Sequence, residues 1–435
     1  MPRLGARVRV GANRLGGGYS VASINEAQRG GEAMTQRKSV LNFAAAAGVA
    51  ALLLAGNSPA SAETIKIGVI STYSGPMATL GEEIDHGLSL YVKTHEKDLP
   101  PGVKVELIKR DDTGPVPDVA KRLAQELVTR DKVQFLIGVV WTPCGLAICP
   151  IANEGKVPFI STNAAGVTMP RLTPYFARTS FTLWQVALPM GRWAAQHGYK
   201  RAYVAVSDFA PGHEAGEAFT KGFTDGGGTI IGNVAFPLQN PDFVPFLQRV
   251  KDAKPDVLFL WVPAGPQATQ AMKAYNDLGL KSAKVTVVST QDLVPDEQLP
   301  LMGETPRGLI TSGTYTTAAN RPANKAFLAA WNKEYGNALI PDFMAVDSWD
   351  GMNLLYDVIK QTKGKFTADQ AMAIIKNWKD PNSPRGPISI DPNTRDIVQN
   401  VYIRRVEKVN GKLANVEFET IPNVKDPWKE MHPAQ

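Results

Sequence analysis

The side chains best suited to chemistry are few in this chain, and they do not gather. Five histidines, His86, His95, His197, His213 and His432, are scattered along the sequence, and each reads as a surface or capping residue. No G-x-G-x-x-G follows a strand pattern, and no G-x-x-x-x-G-K-[ST], H-E-x-x-H or G-x-S-x-G occurs. Asp111 and Asp112 stand together as a carboxylate pair would, but Asp112-Thr113-Gly114-Pro115 reads as a turn leading into a helix. Asp292, Asp296 and Glu297 have no metal-ligand spacing. Cys144 and Cys149 are the two cysteines. A disulfide between them requires Cys144 to sit in the turn before a helix, since each helical residue rises ~1.5 Å. Two reduced, buried thiols are the alternative, and with no histidine nearby neither suits a metal. A chain with no catalytic cluster, metal or cofactor site points to binding rather than catalysis.

The elements that must position any site alternate between β-branched runs and helical patterns. Ile65–Val69, Val103–Lys109, Phe135–Ile137 and Phe159–Ser161 read as buried strands. Between them, 82–95 and 118–130 carry apolar residues at helical spacing, such as Val119, Leu123, Leu127 and Val128. This rhythm predicts parallel βαβ units in an open, doubly wound sheet. The pattern then restarts, with helices over 184–197, 214–223, 243–252 and 268–278 and strands over 202–207, 229–236, 257–262 and 285–289. The last third has helices near 323–335 and 347–360 and extended segments at 387–390 and 398–406. It is too short for a third lobe and completes the first two. The expected division is 63–182 with 315–388 in one lobe and 183–314 with 389–435 in the other. Several chain crossings between lobes imply a hinge, with ligand at the carboxyl ends of the strands.

The N-terminal region has a separate logic. Arg37 and Lys38 precede an apolar run from Phe43 to Gly56, and Ala60-Ser61-Ala62 supplies small residues before Glu63. This is the three-part pattern of a cleaved export signal over 34–62, and its apolar run is shorter than the ~20 residues of a membrane span. Residues 1–33 read as a mispredicted extension upstream of Met34. Seven of the 47 Lys and Arg and two of the 41 Asp and Glu precede Glu63. The rest is nearly neutral, so the basic balance belongs to the leader and implies no nucleic-acid partner. The expected location is the periplasm.

Several segments resemble, in order, the periplasmic solute-binding proteins of ABC importers, closest to the branched-chain amino acid (leucine/isoleucine/valine-binding) type. They are IKIGVISTYSGPMATLG from Ile65 to Gly81, RDDT from Arg110, FLIG from Phe135 and VPFIS from Val157. FART from Phe176, SDFAPG from Ser207 and DFVPF from Asp242 continue the series. The resemblance implies a type I periplasmic-binding-protein fold: α/β, two doubly wound parallel-sheet lobes that close on a ligand about a hinge. It implies delivery of a small molecule to an ABC permease by a monomeric, non-enzymatic receptor.

Carried residue by residue, it places Thr142 as a hydroxyl donor to a ligand carboxylate, with Trp141 beside it as a stacking wall. Asn163, Ala164 and Ala165 form the second carboxylate loop, with Ala165 where the family usually has Thr. On the second lobe Phe209 stands for a covering Tyr, Pro263 lies in a loop that replaces a Tyr-bearing one, and Gln291 falls at or beside the family Glu that pairs with the ligand ammonium. Either Asp292 takes that role by a shift of one residue, or the ligand lacks an ammonium. Tyr73 and Leu80 are expected to close the apolar side. The implied ligand is an amino acid or a related small carboxylate, aromatic acid or amide. A ligand-sensing module of the same fold, and an exported enzyme on it, are the competing classes.

Overall fold

The computed structural model describes residues 63–433. The expected export signal over 34–62 and the expected extension before it lie outside these residues. Two sheets form the two lobes. The first has the order β2-β1-β3-β4-β5, from β1 (Glu63–Ser71), β2 (Val103–Asp111), β3 (Phe135–Gly138), β4 (Phe159–Ser161) and β5 (Phe176–Arg178). All of its pairings are parallel. β1 reads as a nearly continuous apolar run, with Ile65, Ile67, Val69 and Ile70 buried, because helices cover both faces of such a sheet.

The helices between these strands are α1 (Ala78–His95), α2 (Pro117–Thr129), α3 (Thr142–Gly155) and α4 (Met169–Leu172). α2 starts with Pro117, where the missing N–H costs nothing, and buries Ala120, Leu123, Ala124 and Leu127 at helical spacing.

The chain then crosses into the second lobe through α5 (Leu183–Gln196). Its start is fixed by a reciprocal cap: the Thr182 hydroxyl accepts from Gln185 N–H, and the Gln185 side chain accepts from Thr182 N–H. The second sheet is parallel through β6 (Arg201–Ser207), β7 (Thr229–Phe236), β8 (Val257–Trp261), β9 (Thr286–Thr290) and β10 (Ile310–Gly313). Helices α6 (Ala210–Asp225), α7 (Val244–Ala253) and α8 (Pro266–Asp277) connect them.

The chain next supplies α9 (Pro322–Tyr335) and α10 (Phe343–Thr362), both packed on α1, and then α11 (Ala368–Ile375) against α10. It returns to the second sheet as β11 (Lys379–Asp380), β12 (Ile388–Ile390), β13 (Ile397–Val409) and β14 (Lys412–Val424), all antiparallel, and ends in α12 (Pro427–Met431).

The strand patterns read from sequence correspond to these elements, but the β13–β14 hairpin was absent from that reading. Its signal is Asn410-Gly411, both in the left-handed region at φ 51° and 81°, the pair that closes a two-residue hairpin. β5 and β10 are three and four residues long, too short to show a period.

Two glycines let each lobe's leading helix press on its first strand end. A Cβ on Gly81 of α1 would lie 1.8 Å from the Thr72 carbonyl, and one on Gly212 of α6 would lie 1.9 Å from that of Ser207. Both strand ends border the cleft.

Between the lobes, Arg385 forms a buried knot. Its guanidinium pairs with Asp347 at 2.5 Å and Asp350 at 2.8 Å, both on α10. It also donates to the carbonyls of Thr179 and Ser180, where the chain first crosses, and to Gln399 on β13 at 2.9 Å. One cation thus ties a first-lobe helix to the crossing and to the second sheet.

Candidate ligand-binding site

The cleft lies where the carboxyl ends of both sets of strands face each other, as expected for doubly wound sheets. A cavity sits there. Eight of the residues singled out in sequence line it: Leu80, Trp141, Thr142, Asn163, Ala165, Phe209, Pro263 and Asp292. Phe181, Trp261 and Met344 complete much of the apolar wall. A wider groove adjoins it, with Trp141 lining both.

The loop after β3 carries the first-lobe contacts, and its backbone is held under strain. Gly138 has φ 112°, and the β-branched Val139 has φ 69°, a region that costs such a residue of order 1–3 kcal/mol. Two bonds keep it there. Val139 N–H donates to Ile70 C=O at 2.8 Å, and Val139 C=O accepts from Ala164 N–H at 3.1 Å.

This places Trp141 immediately before α3. Its indole N–H donates to the Thr72 hydroxyl at 2.8 Å, and that hydroxyl donates to Asp112 at 2.6 Å. Asp112 therefore acts at a distance, as the end of a chain that orients Trp141, and also accepts from Gly114 N–H at 3.1 Å. Thr142 opens α3, whose first turn has no side-chain cap; Pro143 carries no N–H and Gly145 N–H bonds the Trp141 carbonyl, which leaves the Thr142 and Cys144 N–H groups unpaired within the helix. The Thr142 hydroxyl accepts from Gly166 N–H at 3.2 Å. Arg178, fully buried and 3.1 Å from Asp396, donates to Gly166 C=O at 2.6 Å and to Phe181 C=O. It thereby fixes the second loop. Asn163 donates to Val140 C=O at 2.8 Å.

On the second lobe, Phe209 and Trp261 lie with ring centroids 5.8 Å apart. Asp292 is the ionisable group lining the cavity among the described residues. Burial pushes its carboxyl up from 3.8 to about 6, opposed by the Thr290 hydroxyl, the Trp261 indole and the Arg404 charge behind it. Thr290 donates to Asp292 at 2.5 Å. The Trp261 indole N–H comes near enough to matter yet forms no full hydrogen bond with any group.

Three expected residues stand back from the cavity. Gln291 is fully buried and turned toward β10, where its Oε1 accepts from Thr314 N–H at 2.7 Å. Tyr73 is drawn to the outer side of its loop, with its hydroxyl 3.3 Å from Asp85 and its N–H on Asp111. Ala164 packs inward, its carbonyl accepting from Ser161. The disulfide is also excluded. Cys144 and Cys149 both lie within α3, where five residues rise ~7.5 Å and turn to opposing faces. Both are buried and free, and burial pushes each thiol up to about 12. Sequence reading missed Phe181 and Trp261, which sit at a crossing and a strand end and carry no motif.

The architecture and cleft have known relatives. The sequence profile of the family described as periplasmic binding protein matches residues 64–412. The chain belongs to this family. Its members of this kind are non-catalytic solute-binding proteins. Leu/Ile/Val-binding protein homolog 6 of Brucella melitensis biotype 1 is 38% identical over 373 residues, 85% of this chain and 95% of the relative. Among solved structures, a solute-binding protein of an ABC transporter from Rhodopseudomonas palustris BisB5, in complex with 3,4-dihydroxybenzoic acid, is 46% identical with a TM-score of 0.81. It covers 84% of this chain and 99% of its own. A second R. palustris solute-binding protein, in complex with 4-hydroxybenzoate, is 42% identical over the same shares, also with a TM-score of 0.81.

Proposed function

We propose that this protein is the periplasmic receptor of an ABC importer for hydroxylated aromatic acids such as 4-hydroxybenzoate. The observation that carries the reading is the cavity wall itself. Four aromatic side chains, Trp141, Phe181, Phe209 and Trp261, surround a space bordered by an uncapped helix start and by one carboxylate. A benzoate ring stacks on such walls. Its carboxylate suits the Thr142 hydroxyl and the first-turn N–H groups of α3, and its hydroxyl suits Asp292 as acceptor. The hydroxybenzoates bound by the two R. palustris proteins support this.

Gln291, turned away from the cleft, leaves Asp292 as the one charge lining the cavity among the described residues able to meet an ammonium. The Brucella relative's name favours branched-chain amino acids as the second reading, in which Asp292 would pair with that ammonium. In either case the two lobes close about the ligand. The closed face is what the permease selects. The export signal over 34–62 and monomeric operation belong to the same proposal.

A thermal-shift panel on protein refolded to remove carried-over ligand tests it. At a hundred times its dissociation constant a true ligand adds about 2.7 kcal/mol of stability. Stabilisation by 4-hydroxybenzoate and 3,4-dihydroxybenzoate without a response to leucine, isoleucine or valine is expected. The reverse pattern would establish the second reading.

A further inference from the structure

Beside the cavity, the carboxyl groups of Glu83, Asp342 and Glu297, from both lobes, act on one another. Glu83 lies on α1 and is 4% exposed, and Asp342 caps α10 and is 1% exposed. Both belong to the first-lobe layer. Glu297 follows β9 of the second sheet. Asp342 N–H donates to Glu83 Oε2 at 3.2 Å, and Asp342 Oδ1 accepts from Met344 and Ala345 N–H. The other oxygen of Asp342 and the Oε2 of Glu297 are buried without any partner. Among the described residues none of the three forms a salt bridge, although ion pairs are frequent elsewhere in the molecule.

We propose that Glu83, Asp342 and Glu297 form a proton-dependent latch between the lobes, so that closure on ligand takes up a proton. The inference rests on the receptor reading above only for the solute used to drive closure. Charges buried in apolar surroundings without counter-ions are costly, and neutralisation by protonation removes that cost. A protonated carboxyl also becomes the donor that the orphaned oxygens lack.

The surroundings supply no alternative. Glu82 on α1 adds negative charge to Glu83. His86, one turn along, has its Nδ1 unpaired and is pushed toward the neutral form by burial. Asp292 and Asp296 precede Glu297 in sequence, and Asp296 is already satisfied by Thr317 N–H at 2.7 Å and Asn415 at 2.8 Å. Tyr315 and Tyr335, neutral phenols, complete the ring of neighbours. Arg404 acts on Asp296 and Asp292, and donates to the Tyr315 carbonyl and the Thr311 hydroxyl.

Burial, followed by the charges of Asp342 and Glu83, holds the Glu297 carboxyl well above its ordinary 4.5. Burial and the charge of Asp342 do the same for Glu83. Opening leaves Glu83 and Asp342 together but returns Glu297 to water, where it ionises. The closed form is thus favoured at low pH, and the preference fades as pH rises through the raised closed-state value.

Titration calorimetry with 4-hydroxybenzoate from about pH 5 to about pH 9, in buffers of different ionisation enthalpy, counts the protons. Net uptake rising to as much as about one proton per ligand is expected between the ordinary and the raised value, with Kd weakening up to ~tenfold per pH unit where the uptake is greatest. The isosteric Glu297→Gln should abolish the uptake and flatten the profile, while Glu217→Gln, which alters an exposed carboxyl on α6, should preserve both. Ligand binding without proton uptake, or uptake that survives Glu297→Gln, overturns the latch.

Absence of any binding heat would count against the ligand reading instead, and the latch is then judged by X-ray scattering of the ligand-free protein. A radius of gyration that shrinks on acidification in the native protein, but not in Glu297→Gln, supports it. A radius independent of pH in the native protein refutes it.

Discussion

Replacing Asp292 by Asn separates the cost of this carboxylate from its use. Burial raises the group from 3.8 to about 6, so holding it ionised at neutral pH costs the fold on the order of 3 kcal/mol. The raised value means that this cost is present above about pH 6 and disappears as pH falls toward the unfolded value. Asp292→Asn should therefore stabilise the ligand-free protein at pH 7, by about 4 °C in Tm for a chain of this length, and the gain should vanish in acid. The amide keeps an oxygen for the Thr290 hydroxyl, 2.5 Å away in the native protein.

The same change replaces a charged acceptor for a ligand hydroxyl by a neutral one, a loss of about 1–2 kcal/mol, or roughly 5–30-fold in Kd for 4-hydroxybenzoate. Benzoate, which lacks the hydroxyl, should bind the variant about as well as the native protein. Calorimetric melting at two pH values and competitive titration of the two acids provide the readouts. Equal weakening of both acids, or a lower Tm at neutral pH, would refute the assignment of Asp292.

Three other perturbations have defined outcomes. Thr142→Val removes the hydroxyl at the head of α3 and leaves Gly166 N–H without its 3.2 Å acceptor; Kd for every carboxylate ligand should rise by roughly tenfold, measured by titration. Thiol labelling of the native protein should be negligible at neutral pH and reach two groups on unfolding, because Cys144 and Cys149 are buried with thiols pushed up to about 12; migration on gels should be the same with and without reductant. Arg385→Leu strands the buried Asp347 and Asp350 and should cost about 3–5 kcal/mol in urea unfolding, with Asp347→Asn and Asp350→Asn partly restoring stability in the triple variant.

The fold was legible because parallel strands buried on both faces announce themselves as apolar runs, as in Ile65–Val69, and amphipathic helices such as α2 show their spacing. The long β13–β14 hairpin was missed because its outer strand, Lys412–Val424, is largely half-exposed and polar, so only Asn410-Gly411 marked it.

In the cleft, the strand-end loop residues were placed by the resemblance to periplasmic solute-binding proteins, and eight of them line the cavity. Backbone and side-chain direction were not legible. Whether Gln291 or Asp292 faces the ligand depends on a short 3-10 turn over Gln291–Leu293, where one residue of rotation exchanges them. Phe181 and Trp261 became visible only once two distant segments met. Arg178, Arg385 and the carboxyls of Glu83, Asp342 and Glu297 lie far apart in sequence, and their meaning comes from burial, which no local pattern records.

The most direct test of the central claim is a crystal structure of the refolded protein with 4-hydroxybenzoate. The ring is expected among Trp141, Phe181, Phe209 and Trp261, with its carboxylate at Thr142 and its hydroxyl within hydrogen-bond distance of Asp292. An acid bound with its carboxylate toward Asp292, or a cavity that stays empty at saturating concentration while leucine fills it, would contradict the account.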